Sequence, residues 1–256
     1  MALLEVRITA GYRRSQTVLN DVAFSVDEGE SFGLIGESGA GKSTVVLSVL
    51  NLMNWVGGHV AGVVRFKGQD LLSMRESALR RIRGRDIAFV PQSALASLNP
   101  ALSVGTHFRE TWDVHRREDL DRNRVLELLE RVNLPAKPDF LKRYPRELSV
   151  GMAQRVAIAL ALLHNPALLV ADEPSSALDP VTRAEIMNLF RSANANGMAL
   201  LYVSHDLPSV ASLCSRTAIL KEGRIVEHGP CSEVLRTPSH EYARRLVESI
   251  PAWPAA

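Results

Sequence analysis

The fold is decided by the stretch Gly36-Glu37-Ser38-Gly39-Ala40-Gly41-Lys42-Ser43. Its glycines let the backbone turn tightly and aim several N–H groups at one point, where an anion can be held. The apolar run from Ser31 to Ile35 precedes the loop, and the segment from Thr44 to Leu52 has the composition of a helix. Strand, glycine-rich loop and helix in this order are the context in which a phosphate-binding loop occurs. The alternative, a flexible turn without a ligand, does not account for these neighbours.

The residues of this loop have separate predicted roles. We expect Lys42 to reach the β- and γ-phosphates of ATP, and we expect the Ser43 hydroxyl to bind Mg²⁺. The helix after the loop adds the positive end of its dipole. The predicted nucleotide contacts in this region are Gly36, Glu37, Ser38, Gly39, Ala40, Gly41, Lys42, Ser43 and Thr44.

A second pattern places two carboxylates at the end of an apolar run. The segment from Leu168 to Ala171 is typical of a buried strand, and Asp172 and Glu173 follow it directly. We expect Asp172 to hold Mg²⁺, directly or through water, and Glu173 to polarise the attacking water as a general base. The pattern is weak alone, because strands often end in acidic residues. Together with the phosphate loop it predicts ATP hydrolysis.

Composition sets the broad class of the protein. The 256 residues are 46% hydrophobic and 23% charged, which is typical of a globular domain. A net charge of +2 argues against nucleic acid as a partner. The basic run from Arg80 to Arg85 is interpreted as a solvated face rather than an anion site. The apolar window from Val156 to Ala171 is interrupted by Pro166, so we expect no membrane-spanning helix, and action at a membrane would require docking to other chains.

Strand-like and helix-like segments alternate along the chain. This order predicts an α/β fold with a largely parallel sheet and antiparallel additions near both ends. Residues 3–9 and 22–26 alternate as half-buried strands do, and residues 218–227 are predicted to form a hairpin. Residues 94–145 are predicted to form a mostly helical insert.

A third motif is Leu148-Ser149-Val150-Gly151-Met152-Ala153-Gln154-Arg155, at the start of a predicted helix. It resembles the signature of ATP-binding cassette (ABC) ATPases, although a serine N-cap beside a glycine is the simpler explanation of these residues alone. Order and spacing favour the resemblance. Gln92 is similar to the Q-loop glutamine, Ser176 to Asp179 is similar to the D-loop, and His205 is similar to the switch histidine. Tyr12 is similar to the aromatic residue that stacks on adenine.

The resemblance covers residues 3 to 250 and implies a fold. That fold is an α/β P-loop NTPase core of the ABC ATPase type, with a mainly parallel sheet, an N-terminal antiparallel β subdomain and a helical signature subdomain. Residues 1–256 are expected to be one nucleotide-binding domain. Its expected parts are a catalytic core (1–92 and 159–230), a helical subdomain (93–158) and a C-terminal helical tail (231–256).

The resemblance also implies how the ATP site works. In ABC ATPases two domains face each other, and each ATP lies between the phosphate loop of one and the signature of the other. Ser149 and Gly151 would then serve the partner's ATP, and Asp179 of the D-loop joins the nucleotide contacts. This chain's own ATP would be served by Lys42, Ser43, Gln92, Asp172, Glu173 and His205. Catalysis is assigned to Glu173, His205 and Lys42, and Mg²⁺ to Ser43, Gln92 and Asp172.

Val150 stands where the family pattern has glycine. A β-branched residue restricts the backbone and crowds a bound phosphate. One hypothesis is that this chain contributes a weakened signature to one of two unequal ATP sites, as in a heterodimer. The other is that Val150 is tolerated, because Ser149 and Gly151 remain.

Three further stretches resemble the dipeptide/oligopeptide/nickel importer ATPases: Pro91 to Pro100, Arg143 to Ser149 and Pro238 to Leu246. The resemblance implies an ATPase at the cytoplasmic face of the inner or plasma membrane, energising the import of peptides or of nickel and other metal chelates. The implied partners are a second, non-identical ABC ATPase subunit, two integral membrane permeases and, indirectly, an extracytoplasmic solute-binding protein. Residues 95–104 are the expected contact with a permease.

Two other classes of protein are alternatives. A soluble ABC ATPase acting in translation, DNA repair or an enzyme complex would share the ATP motifs, but such proteins often carry two cassettes or long extra domains. A generic P-loop kinase or GTPase would share the loop but not the signature or His205. The chains that co-purify with the protein would distinguish an importer from a soluble ABC ATPase.

Overall fold

The computed structural model describes residues 2–12, 16–176 and 178–249. Within these ranges the strands are β1 (Ala2–Tyr12), β2 (Gln16–Asp27), β3 (Ser31–Ile35), β4 (Gly58–Phe66), β5 (Gln69–Asp70), β6 (Ile87–Val90), β7 (Leu168–Asp172), β8 (Ala199–Ser204), β9 (Arg216–Lys221) and β10 (Arg224–Pro230). The α-helices are α1 (Lys42–Val49), α2 (Glu76–Ile82), α3 (Ala94–Ser97), α4 (Val104–Asp113), α5 (Arg122–Arg131), α6 (Val150–Leu162), α7 (Pro180–Ala195), α8 (Leu207–Leu213), α9 (Cys231–Arg236) and α10 (Glu241–Glu248). None of the helices in this part of the chain combines the length and the apolar composition needed to span a bilayer.

The chain forms two compact units, of which the first comprises residues 1–76 and 199–256. It contains an antiparallel sheet with the strand order β2-β1-β4-β5. Along β1, Leu4, Val6 and Ile8 are buried while the residues between them are exposed. This period of two is what a strand with one covered face requires. The predicted N-terminal antiparallel strands are confirmed.

The first unit also holds parallel strands. β3 lies between β8 and β9 and runs parallel to both, and β10 returns antiparallel to β9. All residues of β3 and β8 are buried, as expected for parallel strands that are covered on both faces. Glu222 and Gly223 form the β9–β10 turn, and both have positive φ, which suits a two-residue hairpin turn. The predicted hairpin is therefore confirmed.

The second unit comprises Ser77–Met198 and is mostly helical, with β6 and β7 pairing in parallel. Two arginines join α5 and α6. Arg124 donates to the carbonyl of Leu163, just beyond α6, and Arg155 donates over 3.1 Å to the carbonyl of Val132, just beyond α5. Guanidinium donors satisfy carbonyls that have no partner inside the helix. The two helices thus stabilise each other's C-terminal ends.

A buried histidine lies among aromatic and cationic side chains in this unit. The His164 Nε2 atom is 3.0 Å from the Thr111 carbonyl oxygen, and the ring stacks on Trp112 with centroids 5.3 Å apart. His115 meets it edge-on at 5.0 Å. The buried Nδ1 atom of His164 has no hydrogen-bond partner within the described residues. Burial is the main cause that lowers the pKa of His164 and of His115, and nearby cations add to it: Arg85, Arg116 and Arg124 for His164, and Arg85 for His115. Both rings are therefore neutral near pH 7.

Four α-helices are not predicted as separate elements by the sequence: α2, α3 and α4, and α9, which lies within the expected C-terminal tail. Among the described residues of α2, only Leu79 is buried, so the helix has no repeating apolar pattern. Arg80 and Arg81 on the same helix are exposed. That exposure agrees with the interpretation of the basic run as a solvated face. α4 lies inside the predicted helical insert. The tail helix expected around residues 240–250 is α10, and Ile250 lies outside the described residues.

Candidate functional site

The phosphate loop lies between the buried strand β3 and helix α1. Gly39 and Gly41 have φ values of +86° and +107°, a region that other residues rarely adopt. Gly41 is the N-cap of α1, so the helix begins at Lys42. The first turn of α1 therefore carries Lys42 and Ser43 at its positive end, as the sequence predicts.

Lys42 is buried within the loop, with 6% of its surface exposed. Its Nζ atom donates to the carbonyl oxygens of Gly36 at 2.8 Å and Glu37 at 3.0 Å. Next to it the loop is open, because a Cβ placed on Gly39 would meet no atom within 4 Å. A fixed positive charge beside open space at a helix N-terminus fits a phosphate group.

The oxygen donors suit Mg²⁺. Ser43 is exposed in the first turn of α1, and the Asp172 carboxylate ends β7. Hydroxyl and carboxylate oxygens are the hard ligands that Mg²⁺ prefers. Among the residues that the structure describes, no three His, Cys, Asp or Glu side chains are grouped to hold a metal. Ser43 belongs to the first unit and Asp172 to the second, and the assignment of Ser43, Gln92 and Asp172 to Mg²⁺ stays a prediction.

Two residues outside the predicted set lie near the loop, although they belong to the C-terminal part of the chain. The N–H of Gly223 donates over 3.1 Å to the carbonyl of Ala40. The side chain of Tyr242 is buried, and this burial and the charge of the Glu37 carboxylate raise the pKa of its hydroxyl. In the sequence Gly223 is visible only as a turn residue, and Tyr242 only as part of the importer-like stretch near the end of the chain. Neither signal alone indicates a contact with the loop.

Tyr12 and His205 both stand at strand ends in the first unit. Tyr12 is the last residue of β1 and is half-buried, and His205 follows β8 and is exposed. The backbone after His205 is fixed, because the Ser204 hydroxyl accepts from the Asp206 N–H at 3.0 Å. The side chain of Asp206 accepts a short hydrogen bond from Ser209. The roles assigned to Tyr12 and His205 stay predictions.

The second unit contains the predicted carboxylates. Asp172 is 8% exposed, and Glu173 comes next with φ of +46°, an unfavourable region for a residue with a side chain. Such strained residues cluster at functional sites. The Nε2 atom of Gln92 donates to a Glu173 carboxylate oxygen over 3.4 Å. The structure therefore brings together Gln92 and Glu173, two residues that the sequence assigns to one site.

The signature motif forms the start of α6. Ser149 is the N-cap, and its hydroxyl accepts from the Met152 N–H at 3.2 Å. Val150 is the first helical residue, and 49% of its surface is exposed. Gly151 lies close to α7, because a Cβ there would be 3.2 Å from the Thr182 methyl group. The simpler explanation of Ser149, an N-cap, is thus confirmed, and its role toward a partner's ATP stays a prediction.

Asp179 has a structural use. It is the N-cap of α7, and its carboxylate accepts from the N–H groups of Val181 and Thr182, each at 3.0 Å. Hydrogen bonds from Thr182 and, to a smaller extent, Val181 lower the pKa of Asp179. Ala177 of the same motif lies outside the described residues. The predicted contact of Asp179 with a nucleotide stays a prediction.

Comparison with known proteins identifies the family. A family profile described as "ABC transporter" matches residues 19–176. A "Putative peptide import ATP-binding protein" of Brucella ovis is 43% identical over 249 residues, covering 93% of this chain and 73% of the relative. The uncharacterized ABC transporter ATP-binding protein YejF of Escherichia coli is 37% identical over 252 residues, covering 96% of this chain and 48% of YejF. The chain belongs to the ABC transporter family.

Solved structures agree with this assignment. The ATP-binding cassette MJ0796, in a dimeric post-hydrolysis state bound to ADP and Pi, has a TM-score of 0.77 at 29% identity, covering 89% of this chain and 98% of that one. The ATP-binding subunit of an ABC transporter has a TM-score of 0.78 at 30% identity, covering 96% and 98%. The predicted ABC ATPase fold is confirmed, and the chain is an ABC-type ATPase.

Proposed function

We propose that this chain is the ATP-hydrolysing subunit that energises an importer of peptides, or of nickel and other metal chelates. The observation that carries the proposal is the 43% identity, over 93% of this chain, to a Brucella ovis protein named for peptide import. The stretches at residues 91–100 and 238–246 support the same subfamily. Selection of the solute would lie in the binding protein and the permeases.

We infer a separate role for each residue of the ATP site. The buried ammonium of Lys42 holds the β- and γ-phosphates, and Glu173 takes the proton of the attacking water. Gln92, at 3.4 Å from the Glu173 carboxylate, orients that base. His205 contacts the γ-phosphate and Tyr12 stacks on adenine. The residues that would hold Mg²⁺, which neutralises phosphate charge when bound, are Ser43, Gln92 and Asp172.

We further propose that a second, non-identical ATPase subunit completes each site. In this arrangement Ser149, Gly151 and Asp179 face the partner's nucleotide. The exposed start of α6 supports the idea, because its N-terminal N–H groups can then meet a phosphate from outside the chain. The structure of MJ0796 is also dimeric.

The proposed transporter contains two permeases and, indirectly, an extracytoplasmic solute-binding protein, with this chain at the cytoplasmic face of the membrane. Residues 93–158 would be its helical subdomain. Residues 95–104 are the proposed permease contact, and Leu95 there is 38% exposed, which suits an apolar interface.

Replacing the general base tests the enzymatic part. Glu173→Gln should lower the kcat for ATP by at least about a hundredfold, because a positioned general base contributes roughly 10²–10⁴-fold. ATP binding should be preserved, since the amide keeps the size of the side chain. Glu127→Gln, on the exposed side of α5, is the matched control and should keep full activity. Full turnover by Glu173→Gln would refute the assignment of the base.

Co-purification tests the importer part. Mild detergent extraction of the tagged chain from its native membrane should yield two polytopic membrane proteins and a second ATPase. Recovery with ribosomes, DNA or a soluble enzyme complex instead would favour the alternative, a soluble ABC ATPase. Ligand binding by the associated extracytoplasmic protein would then separate peptides from metal chelates.

A further inference from the structure

A cavity in the second unit is lined by cations. Arg109 of α4, Arg122 at the start of α5 and Lys142 line a pocket of about 360 Å³. The side chains of these three residues are exposed, whereas Phe108 and Val125, which line the same pocket, are buried. The pocket therefore combines an apolar wall with positive charges that reach the solvent. None of the described residues that line it is assigned to the ATP site.

The positive charge of the pocket is only partly neutralised. No acidic residue is among the described residues that line it. The Lys142 ammonium lies 2.8 Å from the carboxylate of Asp139, outside the lining. The guanidinium groups of Arg109 and Arg122 have no hydrogen-bond or ion-pair partner within the described part of the chain. Three cations with one paired carboxylate leave a surplus of two positive charges at the pocket.

We propose that this pocket binds a small phosphomonoester, which is a phosphate group that carries a small organic substituent. A phosphate group has a charge of about −1.5 to −2 at pH 7, and this matches the surplus better than the single charge of a carboxylate. The planar guanidinium of arginine can donate two N–H groups to one phosphate. The volume of the pocket is within the range of small-molecule sites, and the apolar wall suits the organic substituent.

Two hydroxyl groups at the start of α4 add hydrogen-bonding capacity. Ser103 and Thr106 line the pocket, and their hydroxyl oxygens are 2.9 Å apart. The Ser103 oxygen also accepts from the Thr106 N–H at 3.2 Å. One hydroxyl hydrogen is sufficient for the contact between the two side chains, so the other can be donated to a ligand. The oxygens of a phosphate group are strong acceptors for such a donor.

Calorimetric titration of the full-length chain with phenyl phosphate tests the proposal. The ionic strength is kept low, because salt screens exposed charges. We expect phenyl phosphate to bind more tightly than inorganic phosphate, because the ring contacts the apolar wall, and more tightly than benzoate, because benzoate has one charge. Lys42→Ala, in the phosphate loop of the first unit, should bind phenyl phosphate as the wild type does.

Variants of the lining residues give the sharper test. Arg109→Gln and Arg122→Gln should each raise the Kd for phenyl phosphate about three- to tenfold, the effect of losing one charged hydrogen bond at an exposed side chain. Asp139→Asn should lower the Kd about two- to fivefold, because it removes the carboxylate that competes for Lys142. Arg117→Gln removes an exposed charge outside the lining, so it is the matched control and should bind as the wild type does.

Three results would overturn the proposal. Wild-type affinity in both Arg109→Gln and Arg122→Gln would show that the pocket is not the binding site. Loss of binding in Lys42→Ala would place the ligand at the phosphate loop instead. If benzoate or inorganic phosphate binds as tightly as phenyl phosphate, the ligand of the pocket is not a phosphomonoester.

Discussion

One added methyl group at the β9–β10 turn should weaken both the fold and the ATP site. Gly223 has φ of +74°, and a Cβ placed on it would lie 1.8 Å from the carbonyl oxygen of Val18. Its own carbonyl accepts from the Asn20 N–H at 2.8 Å, and its N–H donates to the Ala40 carbonyl at 3.1 Å. Gly223→Ala must therefore move the turn away from β2, and both hydrogen bonds must lengthen or break.

The size of the effect can be worked out from these contacts. A residue with a side chain in the left-handed region costs about 1–2 kcal/mol. Each lost hydrogen bond adds about 0.5–1.5 kcal/mol. We therefore expect Gly223→Ala to lower the free energy of unfolding by about 2–5 kcal/mol, which for a chain of this size is a fall of roughly 4–20 °C in Tm. ATP binding should weaken as well, because Ala40 loses the donor that holds it.

Gly68→Ala is the matched control. Gly68 has φ of +76°, nearly that of Gly223, but a Cβ there would meet no atom within 4 Å. The control thus carries the cost of the backbone conformation alone, about 1–2 kcal/mol. The difference between the two variants isolates the close approach to Val18. Calorimetry gives the Tm of each, and a titration with a fluorescent ATP analogue, at a temperature where all are folded, gives the affinity.

Two results would contradict this reasoning. If Gly223→Ala loses no more stability than Gly68→Ala, the Val18 carbonyl can move at no cost and the close approach does not constrain the turn. If Gly223→Ala is much less stable but binds ATP as tightly as the wild type, the turn supports the sheet and not the phosphate loop.

Two other predictions concern the second unit. Val150→Gly should raise ATP turnover at the partner's site in the assembled complex, at a cost of up to about 1 kcal/mol in helix stability. Unchanged turnover at that site would leave only the hypothesis that Val150 is tolerated in the signature. Burial is the main cause that lowers the pKa of His164 from 6.5 in the folded chain. Its contribution to the free energy of unfolding is therefore fully present above pH 6.5 and is lost as the pH falls below it, because the unfolded chain binds the proton more readily. Tm should therefore fall less steeply below pH 6.5 in His164→Gln than in the wild type. The control His228→Gln, at an exposed residue, should follow the wild type. Parallel curves of Tm against pH for His164→Gln and the wild type would show that another group causes the acid sensitivity.

The positions of the phosphate loop and of the two acidic residues after β7 could be predicted from the sequence because their signals are local. Strand β3, Gly41 at the N-cap and Lys42 in the first turn succeed one another along the chain, and so do β7 and Asp172. Backbone geometry converts this order directly into position, since the loops after parallel strands lie at the carboxyl edge of the sheet. The positive φ of Glu173 could not be predicted from the sequence, because nothing in the neighbouring residues requires a left-handed conformation there.

The contacts that brace the loop could not be predicted in the same way. The approach of Gly223 to Val18 and its hydrogen bond to Ala40 join segments far apart in the chain. Such contacts depend on how the strands and turns pack, and a turn glycine is common without them. The exposure of Val150 at the start of α6 likewise results from packing rather than from the motif itself.

The hydrogen bond of Gly223 to the loop explains why a residue remote from the nucleotide should affect the affinity for ATP. The N–H of Gly223 holds the Ala40 carbonyl, next to the glycine that leaves room for a phosphate. Lys42 is oriented by two carbonyls of the same loop. Such preorganisation lowers the free energy of binding for the ground state and for the transition state alike, because the same loop conformation serves both. Loosening the Gly223 contact should therefore raise KM and Kd together while kcat, which we propose depends on Glu173, stays nearly constant.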